Sequence, residues 1–331
     1  MAQNTLFMQG RQLAAGDGTN PGSTVKDIIN IPKIWAQVNR KNAPVTDTKG
    51  YLNTYICKVE VVSTDVLSYL YTAPENWVLK NAVRKWHIAR NEQRAAMFGD
   101  RAGVSTYGKT IRPKLHHAHQ TSNNGADFYE LPGVRLGAAV TGGDWDFTQM
   151  AHAPGALQDD DTSGVEVEES VDGYYLALTG NSQLETGHNT DDFNKWTDVS
   201  MLESYLLARR NFSGGTGGEG SDDSDITPTP SPLVEFMGNS SSSVEIARIM
   251  DREQELQPPY ALQSTSGAIP ADATDLYYAG ALRTTSTYGR DSAIIRVPGG
   301  LLQLHSTNEG ESGDRLPFWN IEVLGVTRAE G

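Results

Sequence analysis

The chain has 331 residues, 38% of them apolar and 21% charged, enough apolar material for a sizeable core, which excludes wholesale disorder. Its 27 basic residues against 41 acidic ones give a net charge of −14, so only a local basic patch can meet nucleic acid. One cysteine, Cys57, excludes an intrachain disulfide and a Cys-rich zinc site.

Residues 1–24 are rich in Gly, Asn, Gln and Thr and read as a flexible arm holding one charge pair, Arg11 and Asp17. The N-terminus lacks the charged-then-apolar order of a signal peptide. No apolar run approaches the ~18 residues of a membrane span, so the expectation is a soluble protein made inside a cell. From Thr24 to Asn42 the apolar spacing predicts short helical pieces, broken at Pro32.

Tyr51–Val62 has period-two alternation, with Tyr55, Cys57, Val59 and Val61 on one face and Lys58 and Glu60 on the other. A helix is predicted from about Pro74 to Phe98, with Thr72-x-x-Glu75 as its capping box and Gly99 as its stop. Its apolar stripe is Leu79, Val83, Trp86, Ala89, Ala96 and Met97. Short strands follow at Phe128–Leu131, Val134–Val140, Trp145–Met150, Gly164–Glu168 and Tyr174–Thr179. Helices are predicted over Thr197–Arg210 and Ser243–Leu256, with a strand at Leu233–Met237 between them. The last strands are Leu276–Arg283, Ala293–Val297, Leu301–His305 and Phe318–Val326, where Trp319, Ile321 and Val323 alternate with Asn320 and Glu322. Many short strands separated by Gly-rich turns predict a mainly β sandwich or barrel with a few inserted helices and long loops.

Gly103-Val-Ser-Thr-Tyr-Gly108-Lys109-Thr110 matches the phosphate-binding G-x-x-x-x-G-K-T pattern. That chemistry needs a strand before the loop and a helix after it. Here a helix precedes, and Pro113 with His116-His117-Ala-His119 follows, so the segment reads as an ordinary loop. The three histidines lack a spaced carboxylate to complete a coordination sphere and read as a polar turn. Asp159-Asp160-Asp161 and Asp222-Asp223-x-Asp225 offer oxygen ligands without the spacing of a calcium loop, and both read as solvated acidic loops. No nucleophile–histidine or zinc-protease pattern is present, so nothing here predicts an enzyme or a cofactor.

Charge placement is more informative. Trp77–Leu115 holds nine basic residues against Glu92 and Asp100, a local excess of +7 in a chain of net −14. Arg84, Lys85, Arg90, Arg94, Arg112 and Lys114 are the candidates for contact with nucleic acid or an acidic neighbouring subunit.

Two stretches carry a family resemblance. One is Trp77-x-x-x-Asn81-Ala-Val-Arg84-Lys85-x-His87-x-x-Arg90 leading to Tyr107-Gly108-Lys109-Thr110-Ile-Arg112-Pro113. The other is Val297-Pro-Gly-Gly-Leu301-Leu302 with Trp319-Asn-Ile-Glu-Val-Leu-Gly325. With the strand-rich pattern, they make the chain resemble jelly-roll capsid proteins of small icosahedral viruses, in particular the smacovirus-like capsid proteins of circular single-stranded DNA viruses. The resemblance implies an antiparallel sandwich, an eight-stranded viral jelly roll. It also implies one shell domain over 25–331, with insertions near 74–125 and 211–232 and an outward-projecting subregion over 158–260. The implied function is a structural one: many copies assemble into an icosahedral shell around the genome, with no catalytic residue and no membrane partner. The implied location is the virion, assembled in the host cytoplasm or nucleus. One departure stands out, because residues 1–24 lack the Arg-rich arm that neutralises genome in many such proteins. The basic segment is then the candidate for any genome contact. The alternative reading is a β-sandwich binding module, a fibre or carbohydrate-binding protein, using Trp145, Trp196, Tyr174 and Tyr288 for stacking.

Overall fold

The computed structural model describes residues 4–15, 22–98, 110–115, 119, 128–135, 137–140, 145–150, 174–177, 185–186, 196–202, 205, 233, 276–310 and 313–328. The chain is mainly β and divides into two compact units. The first takes Met1–Glu75, Ala118–Asp146 and Asp275–Glu330, and the second Asn76–His117 and Phe147–Thr274.

The chain begins with strands β1 (Thr5–Gln9) and β2 (Thr24–Asn30), helix α1 (Ile31–Asn39), and strands β3 (Asn53–Val62) and β4 (Val66–Thr72). Helix α2 (Trp77–Phe98) follows, then the short strands β5 (Phe128–Glu130), β6 (Gly133–Arg135) and β7 (Ala138–Ala139). Next come β8 (Gln149–Met150), β9 (Tyr174–Ala177), β10 (Glu185–Thr186) and β11 (Trp196–Ser200). The chain ends with β12 (Tyr277–Arg283), β13 (Arg290–Pro298), β14 (Leu301–Asn308) and β15 (Phe318–Arg328).

In the first unit one sheet runs β13-β3-β15-β1-β6-β7 and the other β12-β4-β14-β2-β5. The inward face of β3 is the predicted one: Tyr55, Cys57, Val59 and Val61 are all buried. Register carries that face across its neighbours, with Ala293 and Ile321 flanking Val59, and Ile295 and Val323 flanking Cys57. From the other sheet Ile29, Leu70, Leu282, Leu302 and Leu304 enter the same core, as do Ile31, Ile34 and Val38 of α1. Two sheets thus bury one shared apolar layer, the arrangement of a β-sandwich. Burial holds the Cys57 thiol up at about 12, so it stays protonated and inert.

Several elements depart from the sequence expectation. The supposed arm contains β1, which lies between β15 and β6, pairs Leu6 with Ile321, and buries Leu6 and Met8 completely or nearly so. Arg11 pairs with the buried Asp27 of β2, at 2.6 Å, and also donates to the Lys26 carbonyl at 2.8 Å, while Asp17 lies outside the described residues. A five-residue strand whose three apolar residues, Leu6, Phe7 and Met8, run together shows no alternation to stand out in a polar background. Thr24–Asn30 is a strand rather than helix, and Pro32 starts α1 instead of breaking it. Pro32 occupies the first turn, where a missing N–H leaves no helical bond unmade, and the Asn30 side chain caps the Lys33 N–H at 3.1 Å.

Val134–Val140 is two short paired strands with Gly137 at φ 78° between them, and only Gln149–Met150 of the strand expected over Trp145–Met150 forms. Of the helix expected over Thr197–Arg210, Met201, Leu202 and Tyr205 are helical, but Trp196–Ser200 is a strand parallel to β9; β-branched Thr197 and Val199 favour that extended form. Leu233 is helical rather than extended. Gly164–Glu168 and Ser243–Leu256 lie outside the described residues.

The Val297-Pro-Gly-Gly segment is a tight turn, closed by Gly300 N–H on the Val297 carbonyl at 3.0 Å. Pro298 presets its second position and Gly299 supplies the φ of 67° needed at its third. This turn passes the chain from one sheet to the other.

If β1 belongs to the core, Leu6→Ala costs about 2–5 kcal/mol in urea unfolding. A free arm predicts an unchanged midpoint.

Candidate interaction surface

Helix α2 opens the basic segment. Asn76 is its cap, accepting the Leu79 N–H at 2.9 Å, so the helix starts at Trp77 and not within the predicted Thr72–Glu75 box. Thr72 instead closes β4. The predicted stripe Leu79, Val83, Trp86 and Ala89 is fully buried or nearly so. Burial is not confined to the stripe, because Asn81, Lys85, His87 and Ile88 are buried as well. Trp86 donates its indole N–H to the Met201 carbonyl at 3.3 Å, and Asn81 donates to the Tyr205 hydroxyl at 3.3 Å. The helix is therefore held by its polar side chains as well as by its apolar ones.

This placement sorts the six candidate contact residues. Lys85 is only 4% exposed, with Nζ 4.8 Å from the centre of the Tyr205 ring, whose negative face offsets part of the ammonium's desolvation. Arg112 is 6% exposed, and its backbone is strapped to Thr148 by two bonds of 2.9 Å. Neither residue is presented at the surface of the isolated chain. Arg84, Arg90 and Lys114 are half-buried. The Arg94 side chain, Lys109, His116 and His117 lie outside the described residues, as do Asp159–Asp161 and Asp222–Asp225.

His119 does not sit in a polar turn. It is buried with Nε2 2.8 Å from Glu130 Oε2, while Lys33 Nζ lies 2.7 Å from Glu130 Oε1. Burial alone would raise the Glu130 pKa. The hydrogen bond and charge of His119, followed by the charge and hydrogen bond of Lys33, outweigh burial and hold the carboxyl below the ordinary range. Sequence offers no signal for this cluster, whose members come from α1, β5 and the stretch before β5. Among the described residues, no group of three or more His, Cys, Asp and Glu side chains is placed to hold a metal ion.

A second feature escaped the sequence reading. On the outer face of the five-stranded sheet, Tyr69 and Tyr71 of β4, Tyr278 of β12 and His305 of β14 form one aromatic cluster. Ring centroids are 6.3 Å apart for Tyr69–Tyr278, 6.0 Å for Tyr71–Tyr278 and 4.7 Å for Tyr71–His305. Tyr69 and Tyr278 are exposed. The alternation in Val66–Thr72 is masked because Leu67, Tyr69 and Tyr71 occupy the outward positions, so both faces read as apolar. Of the four aromatics expected to stack on a ligand, Tyr288 is exposed and Trp145 half-buried. The side chains of Tyr174 and Trp196 lie outside the described residues.

Two outcomes follow. Lys85→Glu sets a carboxylate against the ring of Tyr205 and costs at least ~3 kcal/mol in chemical denaturation. Arg84→Glu on the same helix costs under about 1 kcal/mol. Glu130 has a lowered folded pKa, so its contribution to stability is complete above the unfolded-state value. That contribution is lost as pH falls toward the folded value. Glu130→Gln therefore flattens the acid limb of the stability–pH curve below about pH 5, measured by thermal melting, while a surface Glu→Gln leaves the limb unchanged.

No helix among the described residues is long and apolar enough to cross a membrane. No protein-family model, no curated protein and no solved structure matches this chain.

Proposed function

We propose that this protein is the coat subunit of a small icosahedral virus, a jelly roll that assembles with many copies of itself into a closed shell around the genome. The supporting observation is strand order. Leaving aside β5–β7 at the margin, one sheet reads β1-β15-β3-β13 and the other β2-β14-β4-β12, every neighbouring pair antiparallel. The chain visits the sheets alternately except at β4–β12. This is the order that results when a ribbon of four strand pairs, β1–β15, β2–β14, β3–β13 and β4–β12, is rolled across two sheets. Such double-sheet rolls serve in viral shells, and in lectins and cupins as well.

The capsid reading is favoured over the other uses of the roll by the likeness at Trp77–Pro113 and at Val297–Gly325 to single-stranded DNA virus coat proteins. The second unit, residues 76–117 and 147–274, enters the chain between β4 and β12, where an insertion leaves the pairing of those eight strands intact. In this reading the half-buried Arg84, Arg90 and Lys114, with Arg94, are the first candidates for subunit or genome contact, ahead of the buried Lys85 and Arg112, and the protein is structural rather than enzymatic.

A second reading has one observation in its favour. The exposed cluster of Tyr69, Tyr71, Tyr278 and His305 suits a β-sandwich module that stacks a ligand against a sheet face. The two readings part in electron microscopy of the purified protein, with absorbance at 260 and 280 nm taken from the same sample. Uniform closed particles are expected, and a nucleic-acid-like ratio would mark them as filled. Discrete small oligomers at high concentration would overturn the shell and leave the binding module.

A further inference from the structure

At one end of the sandwich three connections meet: Val62–Val66 between β3 and β4, Arg283–Arg290 between β12 and β13, and Asn308–Phe318 between β14 and β15. They are tied together. Ser63 N–H donates to the Gly289 carbonyl at 3.0 Å, Glu309 N–H to the Asp65 carbonyl at 2.8 Å, and Arg315 Nη2 is 3.2 Å from Asp65 Oδ2. Between them lies an open pocket of about 500 Å³, with Val62, Leu316 and Phe318 as apolar lining, Ser63 and Thr64 as polar lining, and Asp314 and the Asp65-paired Arg315 among its walls.

Beside this hole stands a knob. Tyr288 is 76% exposed, the most exposed of the large hydrophobic side chains described. Its turn is closed twice, by Thr285 N–H on the Tyr288 carbonyl at 3.0 Å and by Tyr288 N–H on Thr285 Oγ1 at 3.1 Å. A ring on so firm a turn loses little conformational entropy when it is buried by a partner. Charge matches the two sides. Arg290, two residues beyond the knob, has no ion-pair partner among the described residues. Asp314 accepts from Gln12 Nε2 and the Ala15 N–H, yet it too has no cationic partner among them.

We propose that Tyr288 of one copy seats in the pocket of the next, with Arg290 of the first meeting Asp314 of the second. A knob and a hole side by side on one surface cannot fill each other within a chain. Repeated between copies, they join subunits, into a ring where the rotation from copy to copy closes. The apolar lining takes the phenol ring, and Ser63 or Thr64 offers its hydroxyl a partner. This contact rests on the shell reading and names one surface through which the shell would close.

The test follows assembly by light scattering and sedimentation as a function of protein concentration, using the full chain and checking each variant's thermal melting. Tyr288→Ala, Arg290→Glu and Asp314→Arg are each expected to raise the concentration needed for assembly by at least about tenfold, with melting unchanged for the first two and lowered for Asp314→Arg, which loses the bonds to Gln12 and Ala15. An equimolar mixture of R290E and D314R chains is expected to assemble near the wild-type concentration, because each new charge then meets its opposite. A misfolded variant would not be rescued in that way. Wild-type assembly together with unchanged assembly of all three variants overturns this contact and leaves the shell reading standing. Failure of the mixture to recover overturns the Arg290–Asp314 pairing. A wild type that stays monomeric at every concentration overturns the shell itself.

Discussion

The shared apolar layer between the two sheets is the constraint on which the rest of the structured core depends. Val59 lies between Ala293 and Ile321, and Cys57 between Ile295 and Val323, so three strands present one continuous inward row. A slip of one residue in β3 would carry Lys58 and Glu60 into that row and turn Val59 outward. The register is therefore specified by burial on one face rather than by turn chemistry alone. Each sheet buries one face against the other, and the chain serves both by crossing between the sheets at most steps, β4 to β12 excepted. The turns that make those crossings gather at the ends of the sandwich. The Pro298–Gly300 turn and the knot of connections around Ser63, Gly289 and Arg315 are both consequences of that requirement.

Polar groups drawn inward by this packing are satisfied by partners distant in sequence. Asp27 is pushed up by burial and pulled back by Arg11, a residue of the N-terminal stretch. Glu130 is held between Lys33 and His119, and Lys85 lies against Tyr205. Ser68 and Ser306, opposite one another on β4 and β14, share a hydroxyl–hydroxyl bond of 2.8 Å inside the sandwich. Leaving one such group alone costs more than the paired arrangement contributes, so these pairs act as checks on correct assembly of the fold. They also change how charge asymmetry is to be read. The +7 excess over Trp77–Leu115 is partly internal, with Lys85 and Arg112 removed from the surface that a partner would meet.

A two-sheet sandwich suits the proposed role because its ends and its outer faces are chemically distinct surfaces. The outer face of the five-stranded sheet carries aromatic rings, while one end carries a rigid turn beside a pocket. Unlike surfaces on one subunit make head-to-tail contacts, and such contacts close into rings when the rotation between copies allows it. The second unit, 76–117 and 147–274, enters the chain between β4 and β12, two strands that stay paired with each other.

By itself, the sequence determined the mainly β class, the inward face of β3, the alternation of β15 and the buried stripe of α2. In each of these, a run of residues sees a single environment, so the period of burial is written along the chain. The tertiary structure alone decided that residues 5–9 form an inner strand, because five residues hold too short a pattern and their burial comes from β15, more than 300 positions away. It alone decided that Pro32 starts a helix, since the cap comes from an asparagine whose backbone ends a strand. The same holds for which basic residues of the candidate segment face solvent. A charge count along the chain carries no direction, whereas the exposure of Lys85 depends on Tyr205, a residue 120 positions downstream. The Glu130 cluster, the aromatic face and the pocket beside Tyr288 are of this second kind, made of residues that meet only when separate strands are brought into register.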